Sequence, residues 1–274
     1  MEPGPWSFRI ALICALSVAH AAEAQDFTIL AQPVAVAARL DSQPGDPARF
    51  FPFTLTVSHG ERSFAYKTTV VGVDDSDDAV VALKRTIGWK DRYLFVRQEC
   101  GGGNRWRCDI DQVFALRGDR LVHIGEQAGG TRNQGPGAFY RRGYFVDMYD
   151  RLENNDLTTH AGAPSFAIYM KDAGDSMTVD LARTWKEGRA TYGRNRKDIV
   201  RIARDRGMDP RARAEALASL LLDNAVLARY CRQAKPLEQT LQDAQQLLPG
   251  ERWKTFESIV ERVKPGELPA PRRS

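Results

Sequence analysis

Residues 93–124 read YLFVRQECGGGNRWRCDIDQVFALRGDRLVHI, and their pattern predicts the fold of the first part of the chain. Short apolar runs alternate here with residues that favour turns. We expect Tyr93–Gln98 to pair with residues 106–110 across the glycine loop, and residues 113–116 to reverse into residues 121–124. Successive hairpins leave no room for crossover helices, so they predict an antiparallel sheet.

The same pattern continues on both sides of this stretch. Residues 53–57 (FTLTV) alternate apolar and polar side chains, and residues 59–62 (HGER) form the next expected reversal. Residues 166–170 are expected to reverse into residues 177–181. Together these runs predict an antiparallel β domain, a sandwich or an open barrel, over residues 25–185.

Beyond Trp185 the apolar residues recur at helical spacing. Asp209 and Pro210 suit a helix start, because the carboxylate can cap the first turn and proline needs no amide donor there. The following helices, with breaks at proline and glycine, predict a small helical bundle over residues 186–265 and a disordered tail over residues 266–274. The predicted fold class is α+β, with the β domain first.

The first 24 residues predict a cleaved secretory signal. Arg9 precedes an apolar run (IALICALSVAHAA), and Ala22 and Ala24 frame a small-residue cleavage site. No other apolar run approaches the length of a membrane span, so we expect none in the mature chain. The predicted location is periplasmic or secreted.

The cysteines fit an oxidising compartment. Cys100 and Cys108 flank a glycine-rich reversal (CGGGNRWRC), and we expect them to form a disulfide. Cys231 lies in an apolar helical pattern, where a buried thiol is the favoured interpretation and an intermolecular disulfide is the alternative.

Charge is uneven along the chain. The net charge is +4, whereas residues 186–274 hold 19 Lys and Arg against 12 Asp and Glu. Arg194, Lys197, Arg201 and Arg204 recur at helical spacing and form one stripe. A solvated helix face explains such a stripe, and so does a site for an anionic partner: a protein, an envelope polymer, or the acidic segment of this chain at residues 74–78. An exported protein without aromatic residues on that stripe is not expected to bind nucleic acid.

The densest polar cluster lies in FVDMYDRLENNDLTTHAGAP, residues 145–164. Its Asp147, Asp150, Glu153 and His160 are candidate catalytic residues, since close carboxylates can act as general acid and base or bind a hard cation. A polar connection between strands explains the same residues, and the spacing does not match a calcium loop. We therefore expect no metal and no cofactor.

Two tyrosines follow a flexible glycine-rich segment (GGTRNQGPG). Tyr140 and Tyr144 are candidate binding residues, because aromatic rings beside flexible loops are common at binding surfaces. Packing in the core of the sheet is the alternative.

These observations favour an exported, non-catalytic binding protein of the cell envelope. The first alternative is an envelope hydrolase that uses the cluster of Asp147, Asp150, Glu153 and His160. The second is an inhibitor or immunity protein directed against an enzyme that attacks the envelope. The oligomeric state stays open.

Overall fold

The structure is a computed structural model of the chain. It describes residues 23–29, 32–40, 50–59, 62–71, 87–90, 92–98, 110–118, 120–128, 135–148, 152, 157–158 and 162–267. Within these ranges the chain is mixed α+β, with antiparallel strands followed by helices, as predicted.

The first sheet is a meander of four neighbouring strands. In chain order they are β1 (Glu23–Ile29), β2 (Gln32–Leu40), β3 (Phe50–His59) and β4 (Arg62–Val71). His59 pairs with Arg62, so the predicted reversal at this point is confirmed. The predicted alternating segment, residues 53–57, lies within β3.

The second sheet is also a four-stranded meander. It contains β5 (Ile87–Lys90), β6 (Tyr93–Gln98), β7 (Ile110–Arg117) and β8 (Arg120–Ala128). The predicted turn between β7 and β8 is confirmed. Arg117 pairs with Arg120, and Gly118 takes the positive φ of 61° that glycine tolerates best.

One strand of this sheet differs from the prediction. Residues 106–110 and 113–116 were expected to form two strands, whereas β7 runs without a break from Ile110 to Arg117 and pairs with both β6 and β8. Gln112 stays in the strand because its side chain hydrogen-bonds across to Glu126 at 2.9 Å and His123 at 2.7 Å on β8. Residues 106–109 lie outside the described residues.

Four short strands join the sheets to the helices: β9 (Tyr144–Asp147), β10 (Ser165–Ile168), β11 (Met170–Asp172) and β12 (Met177–Val179). The prediction of one strand over residues 166–170 was wrong. The chain breaks at Tyr169, whose backbone N–H donates to Thr184 Oγ1 at 3.1 Å. As a result β10 pairs with β9, and only β11 pairs with β12.

The helices are α1 (Leu181–Arg204), α2 (Pro210–Tyr230), α3 (Ala234–Leu247) and α4 (Gly250–Arg262). The first begins five residues before the predicted start of the bundle at residue 186, because the Asp180 side chain accepts a hydrogen bond from Arg183 N at 3.0 Å and caps it. The predicted start of α2 is confirmed: Asp209 accepts from Arg211 N at 3.0 Å and Ala212 N at 2.9 Å.

Helix α2 is the central helix. It packs against α1, α3 and α4, and its buried residues are distributed around much of its circumference. The hydrophobic cluster runs from Phe95 and Tyr144 on the strands to Phe256 on α4. Cys231, at the end of α2, is buried with a free thiol, as expected, and burial raises its pKa to about 12.

Two further observations concern the C-terminal end of the helical part and the character of its helices. Gly266 N donates to Tyr230 O at 3.0 Å, and residues 268–274 of the predicted tail lie outside the described residues. Of the helices that the structure describes, none combines the length and apolar character needed to cross a bilayer.

Candidate functional site

The predicted carboxylate cluster falls largely outside the described residues. Asp147 closes β9, but its side chain is not described, and the same holds for Asp150, Glu153 and His160 as whole residues. Cys100 and Cys108 also lie outside, so the disulfide stays a prediction. Across the described ranges, no three His, Cys, Asp or Glu side chains come together as a metal site would require.

The two candidate binding tyrosines are packed side chains. Tyr144 is 0% exposed, and burial, with the nearby Asp111 carboxylate, raises the pKa of its phenol. Tyr140 lies in a short π-helix (Ala138–Arg142), is half-buried, and donates from its hydroxyl to Lys90 O at 3.2 Å. Tyr144 is therefore a core residue, and the exposed ring of β9 is its neighbour Phe145, at 38%.

The predicted basic stripe lies on the exposed side of α1. Arg194, Lys197, Arg201 and Arg204 are all exposed. Lys186 is exposed as well, and it falls on the same side because 11 and 18 residues are close to whole numbers of helical turns. We call these five residues the basic face of α1.

The basic face lies opposite a buried face. Tyr192, Ile199 and Ile202 pack into the core on the other side of the same helix. On the basic face, Arg201 pairs with Asp198 at 3.0 Å, and its side chain is still 69% exposed. The five cations extend over about 27 Å of helix.

A groove with polar walls lies between the strands and the helices. It is formed by β9 and β10 on one side and by α1 and α2 on the other, and its volume is about 290 Å³. Phe145, Phe166 and Tyr169 supply aromatic rings, while Asn195, Asp223 and Asn224 supply polar groups. We call this the Asp223 groove.

Asp223 is the most perturbed side chain in the groove. It projects from the middle of α2, and burial raises its pKa to about 7, although hydrogen bonds from Ser165 N and Asn195 favour the charged form. The Ser165 N–H lies 3.3 Å from Asp223 Oδ1. A half-buried carboxyl that titrates near neutral pH in a cleft is the kind of group that functional sites use.

The amides beside Asp223 form a fixed network. Asn195 Nδ2 donates to Asn224 Oδ1 at 3.2 Å, and Asn224 Nδ2 donates to Tyr192 O at 3.3 Å. These bonds join α1 to α2 and orient the polar wall of the groove. Gly188 permits the close approach, because a Cβ at this position would lie 2.9 Å from Leu227 Cδ2.

Asp172 is a carboxylate with the opposite environment. It accepts from Tyr93 Oη at 2.5 Å and from Arg117 at 2.5 Å, and Arg92 lies 3.4 Å away. Burial opposes its ionisation, but the bonds from Arg117 and Tyr93 outweigh burial and hold its pKa at about 2. This cluster joins β6 and β7 to β11, and both carboxylate oxygens of Asp172 are bonded to groups of the fold itself.

A second depression lies between α3 and α4. Its volume is about 500 Å³, and its walls include Leu237, Leu241 and Trp253. Exposed Glu238 and Glu257 flank it, and no buried polar group of the described residues converges there. The smaller Asp223 groove is therefore the better candidate, because buried polar groups that converge with aromatic rings are typical of ligand sites.

The Asp223 groove was not predicted from the sequence. A signal was present, since Asp223 and Asn224 interrupt an otherwise apolar run (LLLDNAVLA) in a helix expected to be buried. Two adjacent polar residues in such a run need buried partners, and those partners come from α1 and β10.

Comparison of the chain with protein-family models, curated proteins and solved structures gives no match, so the candidate sites stand on the geometry described above.

Proposed function

We propose that this chain is an exported, non-catalytic binding protein of the cell envelope, and that it binds an anionic protein or polymer through the basic face of α1. The observation that carries the proposal is the row of five exposed cations on one side of a helix whose other side is buried. A rigid row of like charges attracts a polyanion over distances of about a Debye length.

The local charge balance supports this choice of surface. Asp198 neutralises Arg201 in part, and Glu187 is an exposed acidic residue next to Lys186 in α1. The five cations of the basic face outnumber these two carboxylates, so the face keeps a net positive charge. Exposed ion pairs of this type contribute little to stability. The cations therefore contribute little to the stability of the fold, and an exposed row of them suits an anionic partner.

The organisation that goes with this proposal is an antiparallel β domain, a sandwich or an open barrel, followed by a helical bundle that presents the basic face. Export to the periplasm or beyond is part of the same proposal. The predicted leader, residues 1–24, and the predicted disulfide are the features of the sequence that support export.

Charge reversal tests the basic face. The variant changes Arg194, Lys197, Arg201 and Arg204 to Glu, and the probe is polyglutamate in low salt. We expect its affinity to fall at least about tenfold, because attraction becomes repulsion. The matched control changes four exposed cations elsewhere, Arg211, Lys235, Lys254 and Lys264, to Glu, which shifts the net charge equally.

The control separates a defined surface from net charge. The proposal requires the control variant to keep most of the affinity for polyglutamate. Equal loss in both variants, or unchanged binding by the basic-face variant, contradicts it. A pull-down from envelope extract with the same three proteins then identifies the natural partner.

Thiol titration tests export and the disulfide together. We expect the denatured mature chain to titrate a single thiol, that of Cys231, and to titrate three after reduction, when Cys100 and Cys108 are released. Three thiols before reduction, or a chain of full length recovered from inside the cell, contradict the export proposal.

A further inference from the structure

We propose that the Asp223 groove is a binding site for a small organic cation, an ammonium group carried on an apolar or aromatic frame. This site is separate from the basic face of α1, and it has the opposite charge. The inference stands on the contacts of Asp223, on the charges around the groove and on its aromatic walls, and it goes beyond the proposed function.

The partners of Asp223 in the described part of the chain are all uncharged. Ser165 N–H donates to Oδ1, and the Asn195 amide also bonds to the carboxylate, while Asn195 and Asn224 are bonded to each other. These dipoles orient the carboxylate without neutralising it. A half-buried carboxylate is stabilised far better by a cation that also forms a hydrogen bond.

Among the residues that the structure describes, no cation lines the groove. Asp223 and Glu187 are its charged lining residues among those described, and both are acidic. Two arginines contact residues of the groove wall and are held there: Arg183 lies over the Tyr169 ring at 4.5 Å and donates to Tyr140 O, and Arg194 donates to Thr191 Oγ1. The groove therefore lacks one positive charge, which a ligand can supply.

The walls suit the rest of such a ligand. Phe145, Phe166 and Tyr169 line the groove together with Asp223, and a volume of about 290 Å³ holds a small molecule. Aromatic faces attract cations and also cover apolar surface. The Tyr192 hydroxyl bonds to Pro236 O at 3.0 Å and so belongs to the helix packing.

The titration of Asp223 adds a measurable property. Its pKa of about 7 follows from burial without a counter-charge, and a bound cation lowers that pKa again. The titratable and polar side chains that line the groove with it are those of Glu187, Thr191, Tyr192 and Asn195 on α1, Asn224 on α2, Ser165 on β10, and Tyr169. Cation binding is therefore coupled to proton release near neutral pH.

Calorimetry with three probes of one shape tests the inference on the full mature chain. Benzylammonium is the cation, benzyl alcohol the neutral analogue and benzoate the anion. We expect benzylammonium to bind best, and to bind about tenfold more tightly at about pH 8 than at about pH 6, because Asp223 ionises in between. Asp223→Asn should reduce its affinity at least about tenfold and abolish the pH dependence.

The neighbouring carboxylate provides the control. Glu187→Gln should lower benzylammonium affinity by less than about threefold, since this side chain is exposed and more strongly screened. Thermal unfolding shows that each variant is folded. Equal binding of benzyl alcohol, benzylammonium affinity that survives Asp223→Asn, or affinity that is flat with pH overturns the inference. None of these outcomes bears on polyglutamate binding at the basic face.

Discussion

Asp172 and Asp223 are two carboxyl groups in the same fold with opposite environments. Asp172 receives hydrogen bonds from Tyr93 and Arg117 and has a pKa of about 2, whereas Asp223 is bonded to uncharged groups and has a pKa of about 7. Burial opposes ionisation in both cases. The difference is therefore set by the cations, which the fold places beside one group and withholds from the other.

Asp172 has a structural role, whereas Asp223 is free of a counter-charge among the described residues and can bind a ligand. Asp172 closes a contact between β11 and the second sheet, and its partners leave no room for a ligand. The ionised carboxylate of Asp223 destabilises the folded state, because it is half-buried without a counter-charge. Groups of this kind cluster at sites that bind or react. The two residues should therefore respond in opposite directions to loss of charge.

The largest expected effect is the loss of the Asp172 cluster. Asp172→Ala leaves Arg117 and Tyr93 without their acceptor at a site where the carboxylate is only 12% exposed. We expect the free energy of unfolding to fall by about 2–3 kcal/mol at neutral pH, measured by urea denaturation. Because the pKa of Asp172 is lowered, its contribution is present above about pH 4 and is lost as the pH falls towards 2.

Asp175 provides the control for this change. It lies in the same turn between β11 and β12 but is exposed. Asp175→Ala should alter the free energy of unfolding by less than about 0.5 kcal/mol. If the two variants were equally stable, the cluster would contribute no more than an exposed turn residue.

The next effect has the opposite sign. Asp223→Asn should raise the free energy of unfolding by about 2 kcal/mol at about pH 8, because the neutral amide avoids the cost of burying a charge. The folded pKa is raised, so the native state holds the proton between about pH 4 and pH 7 and the unfolded chain does not. The cost of the charge therefore grows as the pH rises through this window and is complete above 7.

Urea denaturation at two pH values checks the sign of the change in stability caused by Asp223→Asn. At about pH 4 the wild type and Asp223→Asn should have equal stability, since both side chains are neutral in the fold. Asp243 is a partly exposed carboxylate that pairs with Arg196 at 3.3 Å. The change Asp243→Asn should lower the free energy of unfolding slightly or not at all. Destabilisation by Asp223→Asn at pH 8 would show that its carboxylate is a structural group like that of Asp172.

Local signals in the sequence predicted the parts of the fold that depend on neighbouring residues. The reversals at His59 and Arg62 and at Arg117 and Arg120 follow from turn residues between alternating runs. The start of α2 follows from Asp209, whose side chain accepts from two backbone amides of the first turn. Each of these features is decided within a few residues.

Contacts between distant residues decided the parts that were missed. The pairing of Ser165 with Asp147 joins segments separated by a long connection, and hydrogen bonds to α1 at Tyr169 divide what looked like one strand. The Asp223 groove depends on four elements, β9, β10, α1 and α2, that the sequence does not bring together. Its polar pair in α2 was visible, but the uncharged character of its partners was not.

The smallest expected effects on stability come from two glycines of α1, one of which packs against α2 at the Asp223 groove. Gly188 and Gly193 both lie within α1, so replacement by alanine gives each the same gain in helix propensity. A Cβ at Gly193 meets no atom within 4 Å, and Gly193→Ala should stabilise the protein by about 0.5–1 kcal/mol. A Cβ at Gly188 would lie 2.9 Å from Leu227, so Gly188→Ala should lose about 1 kcal/mol relative to Gly193→Ala.

The pair of variants reports on how tightly α1 and α2 meet beneath Asp223. Leu227 is buried at this contact and has little space in which to move away from an added methyl group. Thermal unfolding of both variants measures the difference directly. If Gly188→Ala were as stabilising as Gly193→Ala, the helices would yield at this point, and the burial that raises the pKa of Asp223 would be correspondingly weaker. A clear difference between them means that α1 and α2 are packed rigidly where they meet at the Asp223 groove.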